Sequence, residues 1–483
     1  MFLIAAIPLL VAILCLLVKD RPAYEYLTLA GTALAGGFSL YLAWTVIEGV
    51  PAFTAGHIFQ IDALSSYMLV VITLLSFAVS AYSIGYMRHE LEHGEVDAKT
   101  HRYYYALINL FVFTMVIVPM ANNLAVLWMA VEGTTLVSAL LVGLYRKRES
   151  IEAAWKYIML CTVGITFALL GTFIIYYASA GTAGEGTLEW TALNAAARQM
   201  NPATVKLAFI LIIVGYGTKA GLAPVHNWLP DAHSEAPTPI SALLSGILLN
   251  CAFYGIMRFA VITDKTCGHQ FVQNIMFTFG IASVVMASIF ILIQGNTKRL
   301  LAYSSIEHMG IITLSFGTGG AYGLYASLLH ILNHAFGKPL MFFVTGHIRA
   351  MHGSVEVGGV KGVLKTAPFV GVLGFIGVLA LTGMPPFSLF LSEFLMLRGL
   401  AEGGHWYIIF VFLAASGVVF YGFMRAFGGM FFGVPPADVR KPVQSRLSGA
   451  VLFCLGAGLL VFGLYIPDAL DRLITMSVGV VGG

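Results

Sequence analysis

The stretch VKLAFILIIVGYGTKAGLAPVHNWLPDAHSEAPTPISALLSGILLNCAFYGIMRFAVI, residues 205–262, decides the fold. It opens on a long apolar run, breaks around Gly221 and Pro224 with Lys219 at the break, and resumes as a second apolar run near residue 240. A helix needs roughly 20 mostly apolar residues to cross a bilayer, whereas barrel strands show about ten alternating ones. These runs are continuous, so they predict transmembrane helices, the first of them interrupted. Backbone exposed by such an interruption must face protein or a wet cavity, because lipid offers it no hydrogen bonds.

The same texture runs outward in both directions. The chain has 483 residues, 59% hydrophobic and 10% charged, with a mean hydropathy of +0.87. That composition excludes a water-soluble globular domain, and a formal charge of +3 gives no ground for a nucleic-acid partner. An all-α integral membrane protein of about fourteen spans is expected, near 3–18, 26–46, 63–86, 103–120, 122–144, 154–178, 205–223, 240–262, 271–293, 301–316, 321–348, 368–400, 406–432 and 447–466. The five cysteines lie without any Cys-x-x-Cys or Cys/His spacing, so no cluster, zinc site or disulfide is expected. The first apolar run has no basic region ahead of it and reads as an uncleaved helix.

Alternate loops differ sharply in basic charge. One side holds Lys19, Arg21, Arg88, Lys99, Arg102, Arg146, Lys147, Arg148, Lys298, Arg299, Arg349, Lys361, Lys365, Arg440, Lys441 and Arg446, while the other holds only Arg198, Lys265, Arg398 and Arg472. Lys and Arg accumulate on the cytoplasmic side, which puts both termini outside a cell inner membrane. Lys156, Lys206 and Arg258 sit near span ends, where long side chains reach the interface; Lys219, Lys338 and Arg425 do not.

Spans four to eight (103–262) and nine to thirteen (271–432) form two five-helix blocks of nearly equal length, between an N-terminal group (1–102) and a final helix with a short tail (447–483). An odd number of crossings inverts the second block. Each block has a Pro-interrupted fourth helix: LAPVHNWLP follows Lys219 in the first, and LTGMPPFSLF precedes Glu393 in the second. Paired interruptions point to the transport site in inverted-repeat transporters.

Charge at mid-membrane costs about 2.5–3.5 kcal/mol on insertion scales, so its presence asks for a reason. Glu132 lies mid-span and Lys219 at the break of its helix, at depths that invite pairing. His330, His334 and Lys338 recur at i, i+4 and i+8, hence on one helix face. Histidine both accepts and releases protons near neutrality, and Pro339 frees a carbonyl one turn back, so this row suits water-bridged proton hops. The spacing also suits a metal, but no third ligand type lies at matching positions and none is expected. Glu307 and His308 are adjacent and face different ways; His308 is expected as the relay member and Glu307 as a helix-packing hydrogen bonder. Glu393 suits a terminal proton site, and Asp231, His233 and Glu235 suit either a proton mouth or a rigid Pro-rich connector.

GYGTKAGLAPVHNWLPDAHSEAPTPISALLSGILLN, NTKRLLAYSSIEHMG and SLLHILNHAFGKPLMFF resemble the signature stretches of the antiporter-like subunits of complex I, the Mrp antiporters and the membrane-bound hydrogenases. The resemblance runs from about residue 100 to 430, and AVEGTTLVSALLVGLYRKRESIEAAWKYI is most similar to the hydrogenase 4 component F type. It implies an inverted-repeat core, a hydrated axis of charged residues across the membrane plane, and a redox module in partner subunits. It further implies Glu132 and Lys219 as a switching pair, His308, His334 and Lys338 as a central relay with His330 as companion, and Glu393 as the distal proton site. Asn250 departs from the pattern, since many relatives have a Lys or His there and Asn cannot titrate.

The function expected is therefore proton translocation by a non-redox subunit of a hydrogenase or NADH:quinone oxidoreductase type complex. No cofactor of its own is expected; the partners are other membrane subunits, a peripheral redox module, the bilayer, and protons or sodium. The rivals are a sodium/proton antiporter subunit and a structural scaffold of a hydrogenase or carbon dioxide hydrating complex.

Overall fold

Five of the helices begin where an Asp or Asn caps the first turn. Asp62, Asp97, Asn123, Asn201 and Asn296 each accept a hydrogen bond from a first-turn amide, which satisfies donors that the helix itself leaves orphaned. The computed structural model describes residues 1–50, 53–183, 185–436, 439 and 445–482; Arg440 and Lys441 of the basic-side count lie outside them.

In chain order the helices are α1 (Leu3–Leu17), α2 (Arg21–Ile47), α3 (Ala63–Glu92), α4 (Ala98–Met120), α5 (Leu124–Val142), α6 (Arg148–Ala183), α7 (Trp190–Ala196), α8 (Pro202–Ala220), α9 (Leu229–Glu235) and α10 (Thr238–Leu243). They continue as α11 (Leu249–Cys267), α12 (His269–Ile293), α13 (Thr297–Thr318), α14 (Gly320–His352), α15 (Val363–Thr366), α16 (Pro368–Leu381), α17 (Ser388–Glu402), α18 (Trp406–Phe432), α19 (Arg446–Leu464) and α20 (Asp468–Val481). A π-helical segment, Leu244–Leu248, joins α10 to α11. Among the described residues, ten helices are long and apolar enough to cross a membrane. Every expected span falls on a helix or a broken pair, with the ends displaced by a few residues. The sequence reading missed the antiparallel hairpin of β1 (Phe53–Ala55) and β2 (Phe59–Ile61). It also missed α20, whose Leu473, Ile474 and Ser477 are buried while Asp468 faces outward.

The most enclosed elements are α10 to α11, α13 and α14, with α3, α8, α12 and α17 around them and α6, α18 and α19 at the periphery. Both expected breaks are present, and both end in the same device. After α8, Gly221 adopts φ +75°, its amide reaches Thr218 O (3.2 Å) and the Leu222 amide reaches Gly217 O (2.8 Å). After α16, Gly383 adopts φ +66°, its amide reaches Ala380 O (3.1 Å) and the Met384 amide reaches Leu379 O (3.1 Å). This left-handed cap satisfies the last carbonyls within the chain itself. At Pro339, by contrast, α14 continues without interruption.

Two expectations about basic residues fail. Arg258 does not reach the interface: it is 4% exposed and grips Asp62 with two 2.8 Å hydrogen bonds, with Ser65 and Tyr254 accepting further ones. Its partner is the cap residue of α3, far away in sequence, so spacing alone does not reveal the pair. Lys298, counted among loop residues, is 1% exposed in the first turn of α13.

Removing one partner of a buried ion pair strands the other. Arg258→Met is expected to cost about 3–5 kcal/mol, read as a lower melting temperature of the detergent-purified subunit. Asp62→Leu in the same chain should recover most of the loss; no recovery would show that the two residues are not coupled.

Candidate functional site

Lys219 occupies the last turn of α8 and is fully buried. Its ammonium donates to Thr135 Oγ1 (2.7 Å) on α5 and to the Tyr157 hydroxyl on α6, and it lies 4.6 Å from the centre of the Tyr157 ring. Thr135 in turn donates to Glu132 Oε2 (3.2 Å), and Thr162 donates to Glu132 Oε1 (2.9 Å). Glu132 and Lys219 therefore meet through a hydroxyl, and no direct ion pair joins them among the described residues. Ser138 donates to Thr134 O (2.6 Å), which leaves its oxygen, 2.7 Å from Tyr157 Oη, to accept the tyrosine proton. The hydroxyls of Thr135, Tyr157 and Ser138 thus all donate away from Lys219, and that of Thr135 donates to the carboxylate.

Close approach of α6 and α8 brings these groups together. A Cβ on Gly215 would stand 2.5 Å from the Ala168 amide nitrogen, and one on Gly164 would stand 2.6 Å from the Thr218 side chain. Trp228, just beyond the break, donates to Thr218 O (2.7 Å) and packs on the Tyr157 ring at 4.6 Å, fixing the turn that follows Lys219.

A second cluster gathers on α13, α14 and α17. His308 Nδ1 lies 3.0 Å from His330 Nε2, and His330 Nδ1 lies 2.8 Å from Ser392 Oγ. Ser392 donates to Leu389 O (2.8 Å), so its oxygen accepts from His330 Nδ1–H, and His330 Nε2 is left to accept from His308. The Glu393 carboxylate sits against Gly383 at the second break, and donor atoms of His308, His330 and Glu393 all lie within 4.8 Å of one another. The third ligand type that sequence spacing did not supply is thus Glu393. The His334 ring lies tilted, its centre 5.4 Å from that of His308, and has both ring nitrogens unpartnered. Lys338 donates to Leu301 O (3.2 Å) and interacts electrostatically with Glu307, which is 3% exposed.

Sequence reasoning treated His330 as a companion, yet it is the direct partner of His308. Thr135, Tyr157, Ser392 and the Glu307–Lys338 pairing were missed. The first three are neutral groups that no charge-based reading singles out, and Glu307 and Lys338 stand on different helices. Of the loop candidates, Asp231 is engaged by Arg299 (2.6 Å) and Lys156 (3.4 Å), while His233 is fully buried. Between the clusters Asn250 donates to Gly246 O (2.8 Å) beside the π segment and leaves its Oδ1 without a partner, and Ser245 meets Ser305 at 2.7 Å. Buried polar atoms are ordinarily paired with protein or ordered water, so Asn250 Oδ1 and both His334 nitrogens mark positions for water.

The profile of a family described as NADH:quinone oxidoreductase/Mrp antiporter, transmembrane, matches residues 121–419, and one described as the N-terminus of complex I chain 5 matches 46–104. A hydrogenase-4 component F homolog from Methylacidiphilum infernorum is 38% identical over 423 residues, covering 85% of this chain and 86% of that one. Among solved structures, a chain of the membrane-bound sulfane sulfur reductase, an archaeal respiratory membrane complex, superposes with a TM-score of 0.87 at 24% identity over 99% of this chain and 97% of its own. A chain of respiratory complex I from Thermus thermophilus gives 0.78 at 25% identity over 95% and 97%.

The glycine contact supporting Lys219 is testable. Gly215→Val is expected to push α8 off α6 at a cost of about 1–3 kcal/mol and to lower the yield of folded subunit in detergent. Gly428→Ala, where a Cβ meets open space, should leave the yield unchanged; equal yields from the two variants would refute the close-packing argument.

Proposed function

Because this chain belongs to the NADH:quinone oxidoreductase/Mrp antiporter family of membrane subunits, we propose that it translocates protons along a buried row of titratable side chains, driven by redox chemistry in partner subunits. In this reading Glu132 and Lys219 are the switch, with Thr135 transmitting between them. His308, His330, His334 and Lys338 are the relay, and Glu393 is the distal site. The two five-helix blocks, 103–262 and 271–432, act as inverted halves, each with its own break.

The observation that carries the reading is the directed hydrogen-bond string from His308 through His330 to Ser392, with Glu393 within 4.8 Å of both imidazoles. Purely structural contacts do not call for two adjoining imidazoles, whereas a proton path does, because each ring takes a proton on one nitrogen and releases one from the other. The pairing of Lys219 with Glu132 through one hydroxyl supports a switch in the same way. A small shift of α5 against α8 changes how strongly the carboxylate stabilises the ammonium, and so changes the proton affinity of both.

In vesicles carrying the assembled complex, Lys219→Met, Thr135→Val, Lys338→Met and His330→Phe are each expected to lower the protons moved per electron while native gels show the complex intact. Parent-level ratios in all four would overturn the proposal, and pumping that stops without sodium would assign sodium as the coupled ion.

The basic-rich side is proposed to be cytoplasmic and the membrane the cell inner membrane, with both termini outside. Reporter fusions at Arg102, Arg148 and Lys361 should then read cytoplasmic, and an outside reading at any one would reverse the assignment.

A further inference from the structure

A polar cavity of about 410 Å3 opens on the basic-rich face, between the C-terminal ends of α3 and α14 and the start of α19. The groove between α1, α4, α5 and α6 is larger, about 620 Å3, but its lining is almost wholly aliphatic and aromatic, as a lipid-facing seam should be. The cavity at α3 and α14 is walled instead by Arg88, Glu90, Glu95, His347 and Arg349. Glu90 and His347 are 5% and 6% exposed, and Glu90 Oε2 and His347 Nε2 have no hydrogen-bond partner. Such atoms call for water, and the space they line is large enough to admit it. At the rim Glu95 accepts a 2.7 Å hydrogen bond from Lys147, which holds its carboxyl below the ordinary carboxylate range, so an anion stands at the mouth at neutral pH.

The cavity points inward at further unpartnered groups. Tyr82 Oη and the Thr238 side chain pack against Gly346, where a Cβ would stand 2.5 Å from the tyrosine oxygen, and Thr238 Oγ1 is buried without a partner. Lys298 is held by two backbone carbonyls, Ser234 O at 3.0 Å and Ala236 O at 2.6 Å, and interacts electrostatically with Glu90 and Glu235. Beyond it lies His233, whose Nδ1 donates to Leu229 O (2.9 Å) and whose Nε2 is unpartnered. That imidazole interacts electrostatically with Lys298, Lys338 and His334. From the Glu90 carboxylate on the cavity wall, the Lys298 amine and the His233 imidazole are thus each within electrostatic reach of the next group, as far as His334 and Lys338.

We propose that this cavity is the mouth of a proton inlet, in which Glu90 and His347 take up protons from the basic-rich side and Lys298 and His233 pass them to His334 and Lys338. The inlet rests on the reading of those last two residues as part of a proton path. At each hop a proton leaves one nitrogen or oxygen and binds the next, with water between where the atoms are not in contact, so no other reactant is needed. At the alternative mouth, a smaller cavity of about 230 Å3 with Asp231 and Glu235 on its wall, Asp231 is engaged by ion pairs to Arg299 and Lys156.

The test uses membrane vesicles carrying the assembled complex. Glu90→Gln and His347→Phe are each expected to slow pumping several-fold with the complex intact in native gels. Ala350, on the cavity wall, offers a second route should those variants fail to assemble. With the exposed Cys454 replaced by Ser, Ala350→Cys is labelled by a membrane-impermeant sulfonate-bearing thiol reagent from the basic-rich side, and pumping by the same preparation should fall several-fold. Parent-level pumping in both variants and after labelling, with Lys338→Met inactive, overturns the inlet and leaves the proton path standing. Parent-level pumping in Lys338→Met as well overturns the path and the inlet together.

Discussion

Lys219 is fully buried, and the two oxygens and the aromatic ring that receive its ammonium shape the structure around it. An ammonium moved out of water loses solvation worth several kcal/mol, and the chain returns part of it through Thr135, the Tyr157 hydroxyl and the Tyr157 ring. Those partners stand on two other helices, so satisfying one charge fixes three helices against one another. The glycines at 164 and 215 follow from the same need, since any side chain there would hold α6 and α8 too far apart. The break after Ala220 follows as well: ending the helix at Gly221 places the charge at a terminus, where Trp228 can fold back over it.

The second half solves the same problem with different groups. Lys338 lies within an unbroken α14, and its electrostatic partner Glu307 comes from α13, while the break belongs to the segment that carries Glu393. The two halves thus share the cap of their interrupted helices, down to the hydrogen-bond pattern, yet place the lysine on the broken helix in one and on an unbroken helix in the other. Between them the π segment and Asn250 supply backbone and amide oxygens where an ionisable group is absent. Irregular backbone inside a membrane protein persists only where something polar uses it.

Much of this was legible in the sequence because a charge in an apolar run is conspicuous. Glu132, Lys219, Lys338 and Glu393 each stood out in a mostly apolar run, and Gly and Pro marked both interruptions. What stayed hidden depended on neighbours remote along the chain. Asp62 and Arg258 meet from different parts of the chain, so Arg258 read as an interfacial residue. Lys298 read as a loop residue because nothing local shows that the carbonyl end of α9 folds over it. Thr135, Tyr157 and Ser392 belong to residue types that fill membrane helices for many reasons, and only their partners distinguish them. The tail helix α20 escaped because it is short and half polar.

The hydroxyl of Ser392 donates in one direction, to Leu389 O, while it accepts from His330. On the proposed reading of this string as a proton path, one passage leaves the imidazoles in the other tautomer, and the serine hydroxyl has to turn from Leu389 O, a carbonyl that cannot keep a proton, before it can release its own. Before a second charge can follow, the imidazoles must exchange tautomers and the hydroxyl must swing back. Throughput is then governed by a reset as well as by a transfer, and the reset belongs to Ser392, a residue that never needs to hold a charge. The carbonyl of Leu389 defines the resting orientation of the hydroxyl, so on that reading the backbone of α17 sets the pace of the path.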